Sequence, residues 1–238
     1  MAERKDNATK LPRRARAGTA LSQERWEKIL EVATRLFRQR GFAGASMQDV
    51  SDEVGLLKGS LYYYVKSKEE LLFEVLRDLH QGGGDIVESV QYESDDPLGQ
   101  LKEYLRRLTI YAGEQRARLA IFFRDFGCLP IENQKQIIAE RDMYVVCAVR
   151  LIEEAKAKKQ IDSSINSTVA ALSVLGATSV THEWYRPDGP LSLETIGEQV
   201  AAIIIDGLGG ASVTRPSRRA RDTSQRSRAK TRSTTRKS

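Results

Sequence analysis

Between Trp26 and Phe37 the apolar residues fall at Trp26, Ile29, Leu30, Ala33, Leu36 and Phe37. That is the i, i+3, i+4, i+7 spacing of a helix with one buried face. Ser22 stands where an N-cap is wanted, Arg38 and Arg40 complement the C-terminal end of the helix dipole, and Gly41 ends the helix. The next pattern is shorter. Ser46 with Asp49 three residues on is a short-chain capping box, Val50 and Val54 share one face, and Gly55 stops a second helix. Leu56, Leu61 and Val65 supply the buried side of a third helix; Lys58, Ser60, Tyr62 and Tyr63 stay outside the apolar set, and Tyr64 fits either side. Ser67-Lys-Glu-Glu70 is a further capping box, opening a fourth helix through Leu71, Leu72, Val75, Leu76 and Leu79. Gly82-Gly-Gly84 is expected to end that helix in a flexible joint.

Helical periodicity continues downstream. Asp95-Asp-Pro97 opens a helix through Leu98, Leu101, Tyr104, Leu105, Leu108 and Tyr111, and Arg116 to Phe126 is a shorter apolar and aromatic one. A long helix from about Glu132 to Lys158 carries Ile137, Tyr144, Cys147, Ala148, Leu151, Ile152 and Ala155 on one side. The last two run from Ser164 or Ser167 to Tyr185 and from Ser192 to Leu208, joined by the turn Arg186-Pro-Asp-Gly-Pro190. Ile196, Val200, Ile203, Ile204, Gly207 and Leu208 form a stripe on the final helix, while Ala170, Ala171, Ser173, Gly176 and Ala177 keep its predecessor thin, as an interface between copies needs. No alternating β-branched runs appear and the chain has only 6 Pro, so the fold class is all-α.

Two short helices around a glycine turn, the second showing lysine, serine and tyrosine to the outside, form a helix-turn-helix whose second helix suits phosphate and base contact. Arg40-Gly-Phe42, Ser46-Met-Gln-Asp-Val50, Val54-Gly55, Lys58-Gly-Ser-Leu-Tyr-Tyr-Tyr64 and Lys66-Ser-Lys-Glu-Glu-Leu-Leu72 agree in order and distance with one family. Through them the chain resembles the TetR family of bacterial transcriptional regulators over roughly residues 22 to 80. It departs from the family at Leu57, where many members have a small polar cap, and at Val65, where an aromatic residue is frequent. The resemblance implies an N-terminal three-helix helix-turn-helix DNA-binding domain and a C-terminal helical ligand-binding and dimerisation domain. It also implies a homodimer built through the last two long helices, whose paired recognition helices, about 34 Å apart, read a palindromic double-stranded DNA operator.

On that reading Lys58, Ser60, Tyr62 and Tyr63 reach DNA from the recognition helix, Gly59 lets the backbone approach, and Ser46, Gln48 and Lys68 grip phosphate. Tyr104, Tyr111, Phe122, Phe123, Phe126, Met143, Tyr144 and Trp184 are the candidates to line an effector cavity, although aromatic residues at helical spacing are as a rule plain core. The turn after Trp184 looks similar to acyl-CoA-responsive members, and Arg106, Arg107, Arg116, Arg118, Arg124 and Arg141 are cations available to such a ligand. An aromatic acid or a drug-like hydrophobic effector stays open. The expected function is a repressor released from its operator by a small hydrophobic effector.

Charge refines the domain layout. The net charge is +6, yet residues 1–20 carry +4 and residues 211–238 carry +9, leaving −7 on the remainder. The layout is then a disordered basic arm over 1–20, a DNA-binding domain over 21–67, a ligand-binding and dimerisation domain over 68–210, and a disordered basic tail over 211–238. Such tails add salt-dependent, sequence-blind affinity for phosphates, and a sequence-blind DNA-binding protein acting through them is the alternative function. The N-terminus has no apolar signal segment, and the uncharged window from Ser163 to His182 is too rich in Ser, Thr and Ala to read as a membrane span; both point to a cytoplasmic protein without a membrane partner. Cys128 and Cys147 read as buried reduced thiols. His80 and His182 have no metal-ligand spacing, Gly82-Gly-Gly84 lacks the Lys-Ser/Thr of a phosphate loop, and no serine nucleophile motif occurs. Neither an enzyme, a metal nor a cofactor is therefore expected.

Overall fold

The computed structural model describes residues 20–90 and 95–209. Among them are ten α-helices and no strand: α1 Ala20–Gly44, α2 Met47–Val54, α3 Lys58–Tyr64, α4 Lys68–Val90, α5 Pro97–Glu114, α6 Arg116–Asp125, α7 Ile131–Ala157, α8 Ser167–Ser179, α9 Thr181–Trp184 and α10 Leu193–Gly209. Both basic segments expected at the ends lie outside the described residues, apart from Ala20, which is already helical.

Two apolar cores organise the helices. In the first, Trp26, Ile29, Leu36 and Phe37 of α1 meet Val50, Leu61 and Val65, and Leu71, Leu72, Val75 and Leu76 of α4 close it from below. Ile121, Leu129 and Ile137 belong to the same cluster, so the head is seated on α6 and α7 rather than tethered to them. Tyr64 joins the head, stacked on Trp26 with ring centroids 6.3 Å apart. The second core gathers Val87 and Val90 of α4, Leu101, Tyr104 and Leu105 of α5, Leu151 and Ile152 of α7, Ala171 and Val174 of α8, and Ala201 of α10.

Local chemistry explains most boundaries. Ser46 and Asp49 close a complete capping box on α2. At its other end Gly55, at φ 76°, donates to Asp52 O while Leu56 N donates to Ser51 O, the paired bonds of a left-handed glycine cap. Asp96 caps α5 through Gly99 N (3.0 Å), with Pro97 at the first helical position.

Several expectations are corrected. Ser22 is no cap, because α1 is already helical at Ala20; Gly41 does break α1, at φ 74° and ψ 164°. At the start of α4 Ser67 Oγ accepts from Glu70 N (3.1 Å), but the Glu70 carboxylate takes Lys66 N instead of closing the box on Ser67. Asn166 caps α8, not a serine, and the expected long eighth helix divides at Val180 into α8 and α9. Cys128 is exposed; only Cys147 is buried. The largest correction concerns Gly82, Gly83 and Gly84, which lie inside an unbroken α4. Built-in side chains explain it: a Cβ on Gly82 would stand 2.5 Å from Tyr111 Oη, and one on Gly83 would collide with Tyr144 Oη at 2.0 Å. The glycines make room for two phenols, whose hydroxyls donate to Leu79 O (2.7 Å) and His80 O (2.9 Å) on the same helix.

Candidate DNA-reading surface and ligand cavity

The head presents α3 outwards. Leu61 is its one buried residue, and Lys58, Gly59, Ser60, Tyr62 and Tyr63 are all exposed, Tyr63 by 57%. A Cβ on Gly59 would meet nothing within 4 Å, so no packing inside the chain demands a glycine there. Next to α3, α2 carries the exposed Gln48, whose amide donates to Asp52 (2.6 Å), and Ser46, whose hydroxyl is engaged with Asp49. Asp49 is held below the usual carboxylate range by its hydrogen bonds from Ser46 and then by Arg40, whose Nη1 lies 2.8 Å away. These bonds fix α2 against α1, and α2 in turn fixes the tilt of α3.

Two residues of this surface differ from the sequence reading. Lys68 is only partly exposed: its ammonium donates to Phe42 O (2.8 Å) and Ala45 O (3.0 Å) and sits 4.3 Å from the Phe42 ring centroid. It closes the α1–α2 junction with two of its three N–H donors, which leaves one for a phosphate. Leu57, at the N-terminal end of α3, is 82% exposed, and its side chain offers no cap. An apolar side chain so placed suits a thymine methyl, and only the outward turn of the loop reveals it.

Behind the head, α4, α5, α6, α7 and α8 line a cavity of about 310 Å³ that opens to solvent past Phe123 and Leu172, near the lower end of the ~300–1,000 Å³ of small-molecule pockets. Its wall includes Tyr111, Phe122, Phe123, Tyr144, His80 and Arg141. Of the residues expected there, Tyr111, Phe122, Phe123 and Tyr144 are brought together; Tyr104, Phe126, Met143 and Trp184 are not. Tyr104 is wholly buried between α5 and α7, its hydroxyl donating to Tyr144 O (3.1 Å), so it is core. Phe126 packs into the first core against Phe122, Met143 turns to a separate polar cleft, and Trp184 is half exposed at the end of α9.

The arginines divide similarly. Arg106 and Arg107 both pair with Glu103, Arg118 with Asp78, and Arg124 with Asp125. Arg124 also donates to Phe37 O and to Arg38 O, so the helix carrying Phe122 and Phe123 holds the end of α1. Arg141 alone of the six proposed cations reaches the cavity wall. His80, absent from the expected lining, is 6% exposed and packs edge-on against Phe122 at 5.1 Å. Burial, and secondarily Arg141, pushes its pKa down to about 4, leaving it neutral near pH 7. His182 donates from Nδ1 to Ser179 O (2.6 Å) and stacks on Phe123. Among the described residues no three His, Cys, Asp or Glu are placed to share a metal, and no helix is long and apolar enough to cross a membrane.

A capped helix-turn-helix seated on a helical domain with a cavity between its helices defines a DNA-binding regulator. Comparison with known proteins makes this specific. Residues 29–75 match the family of bacterial regulatory proteins, tetR family, and residues 94–208 match the tetracyclin repressor-like C-terminal domain. The chain is 30% identical over 192 residues to the HTH-type transcriptional repressor KstR2 of Mycobacterium tuberculosis, covering 76% of this chain and 91% of that protein. It is 28% identical to the KstR2 of Mycolicibacterium smegmatis, over 77% and 90% of the two chains. Among solved structures, AibR in complex with isovaleryl coenzyme A and operator DNA aligns with a TM-score of 0.67 at 28% identity, covering 77% of this chain and 97% of AibR. The ketosteroid transcriptional regulator KstR2 of Mycobacterium tuberculosis shares the fold at a TM-score of 0.71 and 24% identity, covering 78% and 94%. The chain belongs to the TetR family of bacterial transcriptional regulators.

Proposed function

We propose that this protein is a homodimeric repressor whose α3 reads a palindromic operator and whose cavity takes a small hydrophobic effector that releases the DNA. The observation that carries the reading is the path between the two sites. α4 contributes Leu71, Leu72, Val75 and Leu76 to the head's core, and Leu79 and His80 to the cavity wall. The phenols of Tyr111 and Tyr144, also in that wall, are bonded to the carbonyls of Leu79 and His80 beside three glycines. A ligand that displaces either phenol changes what holds α4 at its weakest helical point, and α4 moves the head with it. An acyl-coenzyme A thioester is the favoured effector class, supported by the likeness to AibR, whose structure contains isovaleryl coenzyme A and operator DNA.

Lys58, Ser60, Tyr62 and Tyr63, with Gly59 admitting close backbone approach, are the base-facing and phosphate-facing set; Ser46 and Gln48 flank it on α2. Fluorescence anisotropy on DNA from upstream of the gene, against random competitor, tests the reading. Specific binding that a coenzyme A thioester weakens supports it, and binding without preference over competitor removes it in favour of sequence-blind attachment. Tyr63→Ala is expected to weaken operator binding by about tenfold, as ~1–3 kcal/mol per base contact implies, with dimerisation unchanged. Undiminished binding takes Tyr63 out of the interface.

A further inference from the structure

The cavity is unevenly supplied with hydrogen-bonding groups. Tyr111 and Tyr144 spend their hydroxyl protons on Leu79 O and His80 O. Thr178 Oγ1 donates to Leu175 O (2.9 Å) and Ser179 Oγ to Gly176 O (3.1 Å). Most of the remaining wall is hydrocarbon or aromatic: Leu79, Leu108, Leu119, Phe122, Val145 and Leu175. Two polar side chains are left. The Nε2 of His80 is buried without a hydrogen-bond partner, on a residue 94% removed from solvent. Arg141 enters the wall from α7, and its carboxylate contact, with its sequence neighbour Asp142, is a loose one at 3.6 Å. A buried polar atom left unpaired is costly, and native structures keep one chiefly where something outside the chain pairs with it.

Those groups select a chemistry. A neutral imidazole protonated at Nε2 donates one hydrogen bond, and a guanidinium donates only. Arg141 therefore calls for an acceptor, which the Nε2–H tautomer of His80 also suits. An ammonium would face Arg141 with like charge. The volume of about 310 Å³ limits the part of the ligand held within the cavity to a compact apolar body. We propose that His80 and Arg141 form the polar anchor of the cavity and receive the acyl oxygen of a compact apolar carboxylic acid or of its thioester. The proposal rests on the effector-binding reading above and assigns the residues that orient the ligand. A ligand oxygen at His80 also lies next to the carbonyl that Tyr144 holds, so the head group is recognised where α4 is clamped.

The test is calorimetric titration of the full chain with three matched probes: 2-naphthylacetic acid, its uncharged N-acetylcysteamine thioester, and 2-ethylnaphthalene. Both acyl probes are expected to bind at least tenfold more tightly than the hydrocarbon. His80→Phe is expected to erase that preference while leaving hydrocarbon affinity within about twofold. His80→Gln, which keeps a donor, is expected to retain part of it and guards against a folding defect in the first variant. Arg141→Gln, which keeps a donor but loses the charge, is expected to weaken the acid at least fivefold and the thioester by less, and the ratio of the two wild-type affinities shows which acyl form the site prefers. Acyl probes that bind no better than the hydrocarbon, or a preference that survives His80→Phe, overturn the anchor and leave the effector reading standing. If none of the three probes binds, the anchor falls together with that reading.

Discussion

Glu74 shows how a single side chain sets the pH response of the molecule. It lies on α4, 6% exposed, with Arg77 as its ion-pair partner. Burial raises its pKa to about 7 against the attraction of Arg77, and Glu70 and Asp78 push in the same upward direction. The folded chain therefore holds a proton that the unfolded chain has lost, and the stability this group allows is full below about 4.5 and declines as pH rises through 7. Glu74→Gln is expected to raise unfolding stability by about 2 kcal/mol at pH 8 and by nothing at pH 4. Urea unfolding at both pH values checks it, and an equal gain at both would remove ionisation as the cause. His80 works with the opposite sign: its depressed pKa makes stability fall as pH drops from about 6.5 towards 4. Neither shift was readable from residue type. Glu74 falls on the inner side of α4, but burial of a carboxylate next to one arginine is decided by the helices packed around it.

At the scale of the element, α4 is the informative case. Three consecutive glycines cost a helix roughly 1 kcal/mol each relative to alanine, and from the chain alone they mark an end. The helix continues because Tyr111 and Tyr144 come from α5 and α7 to occupy the space the missing side chains leave. Tyr144→Phe removes the bond to His80 O and nothing else of size. It is expected to cost about 1 kcal/mol and, correspondingly, to speed amide exchange across residues 82–84 about fivefold. Exchange that stays at the wild-type rate there would show that the phenol does not hold the helix. The caps behave differently from this segment. Ser46 with Asp49, Gly55, and Asp96 with Pro97 all act as their local spacing implies, because each bond closes within five residues. Ser22 and the Ser67–Glu70 pair failed in part, since a helix can start earlier and a long carboxylate can choose a nearer amide.

For the whole molecule the question is which apolar surface remains once the two cores are filled. On α8 Val169, Leu172, Ser173, Gly176, Ala177 and Val180 are exposed along one helical stripe, Val169 by 62%, and of these Leu172 and Gly176 also border the cavity. Ile203 and Gly207 of α10 are exposed as well, whereas Ile196, Gly197 and Ala201 are spent on α5 and the second core. The stripe expected on α10 is thus divided: one edge packs within the subunit and the other stays exposed, where the proposed dimer would seat a second copy. Val169→Asp, on the same stripe but outside the cavity wall, is expected to convert the dimer to a monomer in sedimentation equilibrium. Operator affinity should fall roughly 100-fold, since the second half-site is then no longer held at high effective concentration. A dimer that persists with the aspartate would place the interface elsewhere.

By itself the sequence determined the all-helical class, the helix-turn-helix with its outward Lys58, Ser60, Tyr62 and Tyr63, the caps of α2 and the start of α5, and the family. All of these depend on spacing within a turn or two of helix, where chain neighbours are also spatial neighbours. What only the tertiary structure decided is which aromatic residues are core and which face a cavity. Tyr104 and Tyr111 lie on the same face of α5 seven residues apart, and they separate because α7 covers one while α4, α6 and α8 leave space at the other. His80, Arg141, the inward duty of Lys68 and the helical state of Gly82 to Gly84 belong to the same group. Each depends on partners from 23 to 64 positions away in the chain, a separation over which periodicity carries no information.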